Sequence, residues 1–168
     1  RRALALAKAL EETGQHERAR QAVDDLLRQA ETVDYRPLQG QLRLLAGRVA
    51  MQQARYEDAE HLLERAFADA LASNDDDTVV NAGALLVYVI GYSQGQPDRA
   101  EHWISLADAA ASHAGVGVIP RSALRVSEGV VAMQRGDNAA ARQSLLRSLS
   151  LVRENLGDDH PEATYALS

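Results

Sequence analysis

Four short blocks recur along the chain at an almost constant interval. They are Gly14-Gln15-His16-Glu17-Arg18-Ala19, Ala54-Arg55-Tyr56-Glu57-Asp58-Ala59, Gly95-Gln96-Pro97-Asp98-Arg99-Ala100 and Gly136-Asp137-Asn138-Ala139-Ala140-Ala141. Their closing alanines stand at 19, 59, 100 and 141, so the intervals are 40, 41 and 41 residues. A period held over a whole chain commits it to a stack of like units, because no single unit can bury its apolar face alone.

Each block reads as a turn between two helices. Glycine ends the incoming helix without steric penalty. Pro97 suits the first turn of the outgoing helix, and Asp58, Asp98 and Asp137 favour its positive end. The run Ala59, Leu62, Leu63, Ala66, Phe67 and Ala70 has the i, i+3, i+4, i+7 spacing of an amphipathic helix. Pro37, Thr78, Pro120 and Pro161 open the incoming helices at intervals of 41, 42 and 41. The spacing predicts helix pairs over 2–13 with 16–33, 37–53 with 56–73, 78–94 with 97–113 and 120–135 with 138–155. The units are 1–36, 37–77, 78–119 and 120–160, with a partial one over 161–168 that begins a ninth helix. The expected class is all-α, a right-handed α-α superhelix of about four helix pairs.

The pattern resembles the tetratricopeptide repeat family over nearly the whole chain. Gly47 and Gly129 match the small residue inside the family's first helix, with Ala7 a softer match. Ala19, Ala59, Ala100 and Ala141 match the small residue in the first turn of the second helix, and Ala66 and Ala107 the later one. Leu26, Ser148 and Tyr88 depart from the pattern; Tyr88 stands where Gly47 and Gly129 do. The usual unit is roughly 34 residues, so a unit near 41 is similar to the long-unit subgroup of kinesin light chains and bacterial regulators. The segment Leu156-Gly157-Asp158-Asp159-His160-Pro161-Glu162 resembles the inter-repeat loop of that subgroup.

The resemblance implies a concave groove lined by the first helices. Three columns align at the period: Leu44, Arg48 and Met51; Leu85, Val89 and Tyr92; Val126, Val130 and Met133. In the first unit the column reads Leu4, Lys8 and Glu11. An apolar groove of this kind suits an amphipathic helix or an apolar peptide stretch, and methionines let it adapt. The same column could instead be core. The stretch Leu85, Leu86, Val87, Val89 and Ile90 is apolar nearly all round, and such a helix is normally covered on every side.

Other features carry less. His61 and His102 sit at equivalent places but lack a metal-binding spacing. The run Asp75-Asp76-Asp77 reads first as helix initiation ahead of Thr78. Gly115 and Gly117 are followed by no Gly-Lys-Ser/Thr, and Ser122, Ser127 and Ser144 have no nucleophile-elbow context. No catalytic, cofactor or metal residue is expected. With no cysteine, there is neither disulfide nor thiolate chemistry. A net charge of −6 argues against binding the phosphate backbone of nucleic acids, and no segment suits a membrane.

The expectation is therefore a cytoplasmic, bacterial, non-catalytic scaffold for a protein or peptide partner. The alternative is a small-molecule-sensing arm of a kinase-linked or transcription-regulator-linked signalling protein. The chain reads as a segment of a longer protein. Leu4, Leu6 and Leu10 at one end, and Tyr165 and Leu167 at the other, are expected to support stacking or self-association.

Overall fold

The chain reverses at the four blocks that the period marks. In the computed structural model, which describes residues 2–31, 35–113, 115–158 and 160–161, three of these turns share one hydrogen-bond pattern. The backbone N–H groups of Gln15, Arg55 and Asp137 donate to the carbonyls of Leu10, Ala50 and Ala132, each five residues back and at 2.9 Å. Such closures satisfy helix-end carbonyls and need a residue with positive φ. Gly14, Gly95 and Gly136 supply it with φ of 73°, 67° and 76°, and Ala54 adopts 56° without glycine's freedom.

Eight helices follow among the described residues: α1 (Arg2–Glu12), α2 (His16–Glu31), α3 (Arg36–Gln52), α4 (Tyr56–Ala72), α5 (Asp76–Leu86), α6 (Pro97–Ala111), α7 (Val118–Gln134) and α8 (Asn138–Leu156). The helix α5 does not end at Leu86 but continues as a π-helical stretch over Val87–Ser93. Asp75 starts α5 by accepting from the Thr78 N–H at 3.2 Å and the Thr78 hydroxyl at 2.8 Å. Asp137 starts α8 by accepting from the Ala140 N–H at 2.9 Å. Both are side-chain caps on otherwise unpaired helix donors. Pro161 is helical; the rest of the expected ninth helix, 162–168, with Tyr165 and Leu167, lies outside the described residues.

Each odd-numbered helix packs against its even-numbered successor, and the odd-numbered helices α1, α3, α5 and α7 also lie side by side. The result is a helical solenoid in two layers. Small residues allow the close crossings: Ala19, Ala59, Ala66, Ala100 and Ala107 are fully buried and Ala141 nearly so. A methyl group on Gly47 would fall 2.7 Å from Leu63, and one on Gly129 would fall 2.9 Å from Leu145. Ser148, which departs from the small apolar pattern, is completely buried and hydrogen-bonds the Ser122 hydroxyl at 2.8 Å. The largest core runs through Leu63, Phe67, Leu86, Ile90, Leu124 and Val131, joining the second, third and fourth pairs.

Polar ties bind successive units at the edge where the turns lie. Gln52 donates to Glu11 at 2.7 Å, Gln94 to Glu60 at 2.8 Å and Arg135 to Glu101 at 2.7 Å. The hydrogen bond to Glu101 holds the Arg135 guanidinium protonated above its ordinary range.

Candidate partner-binding groove

The groove arises because α1, α3, α5 and α7 present one edge each to the same side. Together they enclose a cleft of about 510 Å³. Lys8, Glu11 and Glu12 come from α1, Gln41, Leu44 and Arg48 from α3, Thr78, Asn81 and Leu85 from α5, and Ile119, Ala123 and Ser127 from α7. Ile119 remains exposed, whereas Leu44 and Leu85 are half-buried and share the central core. The lining is thus an apolar floor with polar margins, as ligand clefts commonly are.

Its electrostatics centre on Glu11, whose side chain is only 2% exposed. Glu11 accepts from Gln52 and pairs with Arg48 at 3.2 Å, which offsets the cost of burying a carboxylate. Arg48 therefore anchors the wall of the groove while keeping half of its side chain in solvent.

The nine expected groove residues separate into five groups. Leu44, Arg48 and Leu85 line the cleft. Met51 and Tyr92 line a neighbouring hollow of about 560 Å³, with Gln52, Tyr56, Tyr88 and Gln134. Met133 is exposed and lines a smaller hollow of about 270 Å³ with Leu146 and Leu149. Val126 and Val130 are half-buried and line none of these spaces. Val89 is a correction: it is completely buried, together with Leu86, Val87 and Ile90. The π-turn explains the change. It winds fewer degrees per residue than an α-turn, so Leu85 still faces the cleft while Val89 is carried into the core.

The π-turn also settles what happens at Tyr88. An α-helix through this position would aim a tyrosine at the crossing where the neighbouring pairs have glycine. Instead the close approaches lie at Gly83, where a methyl group would fall 2.6 Å from Ala107 of α6, and at Gly91, where one would fall 3.0 Å from Ala100 of α6 and 2.4 Å from Val131 of α7. Tyr88 swings aside, half-buried, with its ring 5.1 Å from that of Tyr92. Burial pushes its phenol up from the ordinary value, and the neighbouring Tyr92 and Tyr56 add to the shift.

Sequence spacing missed Gln41, Asn81, Ile119, Ala123 and Ser127. In α7 the groove takes 119, 123 and 127, a face one residue away from 126 and 130. A lone exposed isoleucine opening a helix was the available clue.

The acidic run divides its carboxylates among separate tasks. Asp75 caps α5, Asp76 meets His113 at 3.2 Å, and Asp77 accepts from the Gly117 N–H at 2.7 Å. His61 sits 3.9 Å from Glu64 and His102 lies against the Trp103 ring. Among the described residues, no three histidine, aspartate or glutamate side chains converge as metal ligands, and no helix is long and apolar enough to cross a membrane.

Comparison with known proteins agrees with this architecture. The tetratricopeptide repeat family model matches residues 129–162, from the crossing glycine of α7 through the whole of α8. A crystal structure of the nearly identical TPR-like repeats assigned to a kinesin light chain of Podosopora anserina superposes with a TM-score of 0.72. It is 18% identical in sequence and covers 99% of this chain and 80% of that one. The fold is that of tetratricopeptide repeats. No curated protein matches the chain in sequence. Tetratricopeptide repeats generally mediate protein–protein interaction, and here the first helices of the repeats line one shared cleft.

Proposed function

We propose that the chain is a non-catalytic scaffold whose repeats hold a segment of a partner protein in the cleft between α1, α3, α5 and α7. The observation that carries this reading is the cleft itself: four consecutive units contribute to one continuous wall. Its floor at Leu44, Leu85 and Ile119 suits apolar side chains, while Lys8, Gln41, Arg48 and Asn81 offer donors to a peptide backbone. Glu11 and Arg48 satisfy each other, so the wall is built before a ligand arrives and little ordering cost falls on binding.

The test is site-specific photo-crosslinking. A photoreactive residue at Ile119, in the cleft, should capture a partner protein from cells, and the same residue at Arg18, exposed on α2, should not. Equal capture from both positions, or capture from Arg18 alone, would sink the groove assignment. Leu44→Glu should abolish capture from Ile119 without loss of helicity. Saturable thermal stabilisation of the chain by a metabolite, with no protein captured, would favour a small-molecule-sensing arm instead.

A further inference from the structure

The outer layer closes at one seam and opens at the next. Between α4 and α6, Phe67 and Trp103 meet edge to face with ring centroids 5.3 Å apart. One period of 41 residues later, the same two places hold Asp108 and Ser144. Neither fills the gap, and a cleft of about 810 Å³ opens between α6 and α8 over the first half of α7.

The charges in this cleft run against those of the whole chain. Arg121 and Arg125 of α7 and Arg147 of α8 face Asp108 and Glu154, a net positive hollow on a chain of net charge −6. Arg125 is committed, since it pairs with Asp108 and Glu128. Arg121 uses its Nε–H on the Gly117 carbonyl at 3.3 Å, which leaves its terminal nitrogens available. Arg147 has no hydrogen-bonded partner among the described residues. Beside these guanidinium groups lie Leu151, half-buried, and Leu146, 51% exposed.

We infer that this outer cleft is a second docking site, distinct from the concave groove, for an acidic, leucine-bearing segment of a partner protein. Carboxylates of the segment engage Arg121 and Arg147 by charge-assisted hydrogen bonds, and an apolar side chain covers Leu146 and Leu151. An inorganic phosphate would use the arginines but leave the leucines bare, and the cleft is far larger than such an ion needs. Asp108 already grips Arg125 from the wall, so it shows how a carboxylate is received there.

The test uses a short fluorescein-labelled peptide of alternating glutamate and leucine, followed by fluorescence anisotropy on the intact chain. Saturable binding is expected, weakening as salt is raised and falling about tenfold or more in the double variant Arg121→Ala, Arg147→Ala. A matching peptide with glutamine in place of glutamate should bind at least about tenfold more weakly. The paired change Asp108→Phe with Ser144→Trp, which copies the seal of the preceding seam, should close the cleft and abolish binding while the circular-dichroism melt stays cooperative. If that pair fails to fold, the arginine variant, whose changes remove no fully buried side chain, still decides. The proposal is overturned by absence of saturation up to about 1 mM peptide, or by full binding in the arginine variant. Equal binding of the glutamine peptide would also overturn it, as would loss of binding on Leu44→Glu in the concave groove. Tight binding of inorganic phosphate that displaces the peptide would assign the arginines to a different ligand and overturn it too.

Discussion

The second and third helix pairs occupy equivalent places in the period, yet they cross in different ways. In the second pair, α3 is α-helical throughout, and Gly47 approaches the flexible end of Leu63. In the third, a π-helical stretch follows α5, and Gly83 and Gly91 approach stiff partners. A methyl on Gly83 would meet the Ala107 Cβ at 2.6 Å, and one on Gly91 would meet the Val131 Cγ2 at 2.4 Å. The closing turns differ accordingly: Arg55 donates five residues back to Ala50, whereas Gln96 donates six residues back to Ile90. One bulky residue in a glycine position has been accommodated by rewinding a helix, not by separating it from its neighbour. Repeat proteins tolerate such local change because each unit answers only to its neighbours.

The largest expected effect lies where the two pairs meet. Phe67 is 9% exposed, packs on Trp103 and lies against Gly83. Phe67→Ala should cost about 3 kcal/mol through lost burial and the cavity left behind. In urea this appears as a lower midpoint at unchanged slope. An effect below about 1 kcal/mol would mean that the pairs do not share this plug.

Next come the crossing glycines, where two terms oppose each other. Gly→Ala inside a helix gains up to about 1 kcal/mol in backbone entropy. At Gly47 the side chain of Leu63 can turn aside, so Gly47→Ala should be within about 1 kcal/mol of neutral. At Gly83 the facing atom belongs to an alanine and cannot rotate away, so Gly83→Ala should lose about 2 kcal/mol. Equal values at the two sites would erase the distinction drawn between the pairs.

The turns give a smaller, reciprocal pair of changes. A methyl on Gly95 would meet nothing within 4 Å, so Gly95→Ala tests backbone conformation alone and should cost about 0.5–1 kcal/mol. Ala54 already adopts a φ of 56°, so Ala54→Gly should return about the same amount. Thermal melts that moved in one direction for both substitutions would contradict the observed turn geometry.

The smallest effect is at Tyr88. Its folded-state pKa is raised, first by burial, so the folded state keeps its phenolic proton at pH values where the unfolded chain has released it. The stability that this supplies is complete below about pH 10, the ordinary tyrosine value, and is lost as pH rises through the folded pKa. Tyr88→Phe should flatten the fall in melting temperature in that alkaline window and leave neutral pH almost unaffected. A wild-type curve already flat there would remove the burial argument.

Much of the fold was legible because its determinants are local. The blocks at 14–19, 54–59, 95–100 and 136–141 placed the turn inside each helix pair, and among the described helices each predicted boundary falls within about two residues of the observed one, with the π-helical stretch counted with α5. The capping role of Asp75 was readable too, since cap and target lie three residues apart. The groove was legible only in part. Leu44, Arg48 and Leu85 line the cleft between the first helices, Val89 is buried in the core, and Ile119 lines the cleft without having been expected. The π-turn leaves no insertion in the period: Pro37 to Ala59 and Thr78 to Ala100 both span 22 residues. Tyr88 at a glycine position was its sole trace.

By itself, then, the sequence determined where the described helices start and stop and which alanines lie at the crossings. Those outcomes depend on backbone propensity, on caps and on side chains a few residues apart. The tertiary structure decided which way the second half of the third unit's first helix faces, whether Val89 lines a groove or fills a core, and why the outer seam closes at Phe67–Trp103 but opens at Asp108–Ser144. Each of those turns on partners roughly a full period away, such as Val131 against Gly91 or Trp103 against Phe67. A small rotation of a packed helix exchanges those partners while leaving every local preference satisfied.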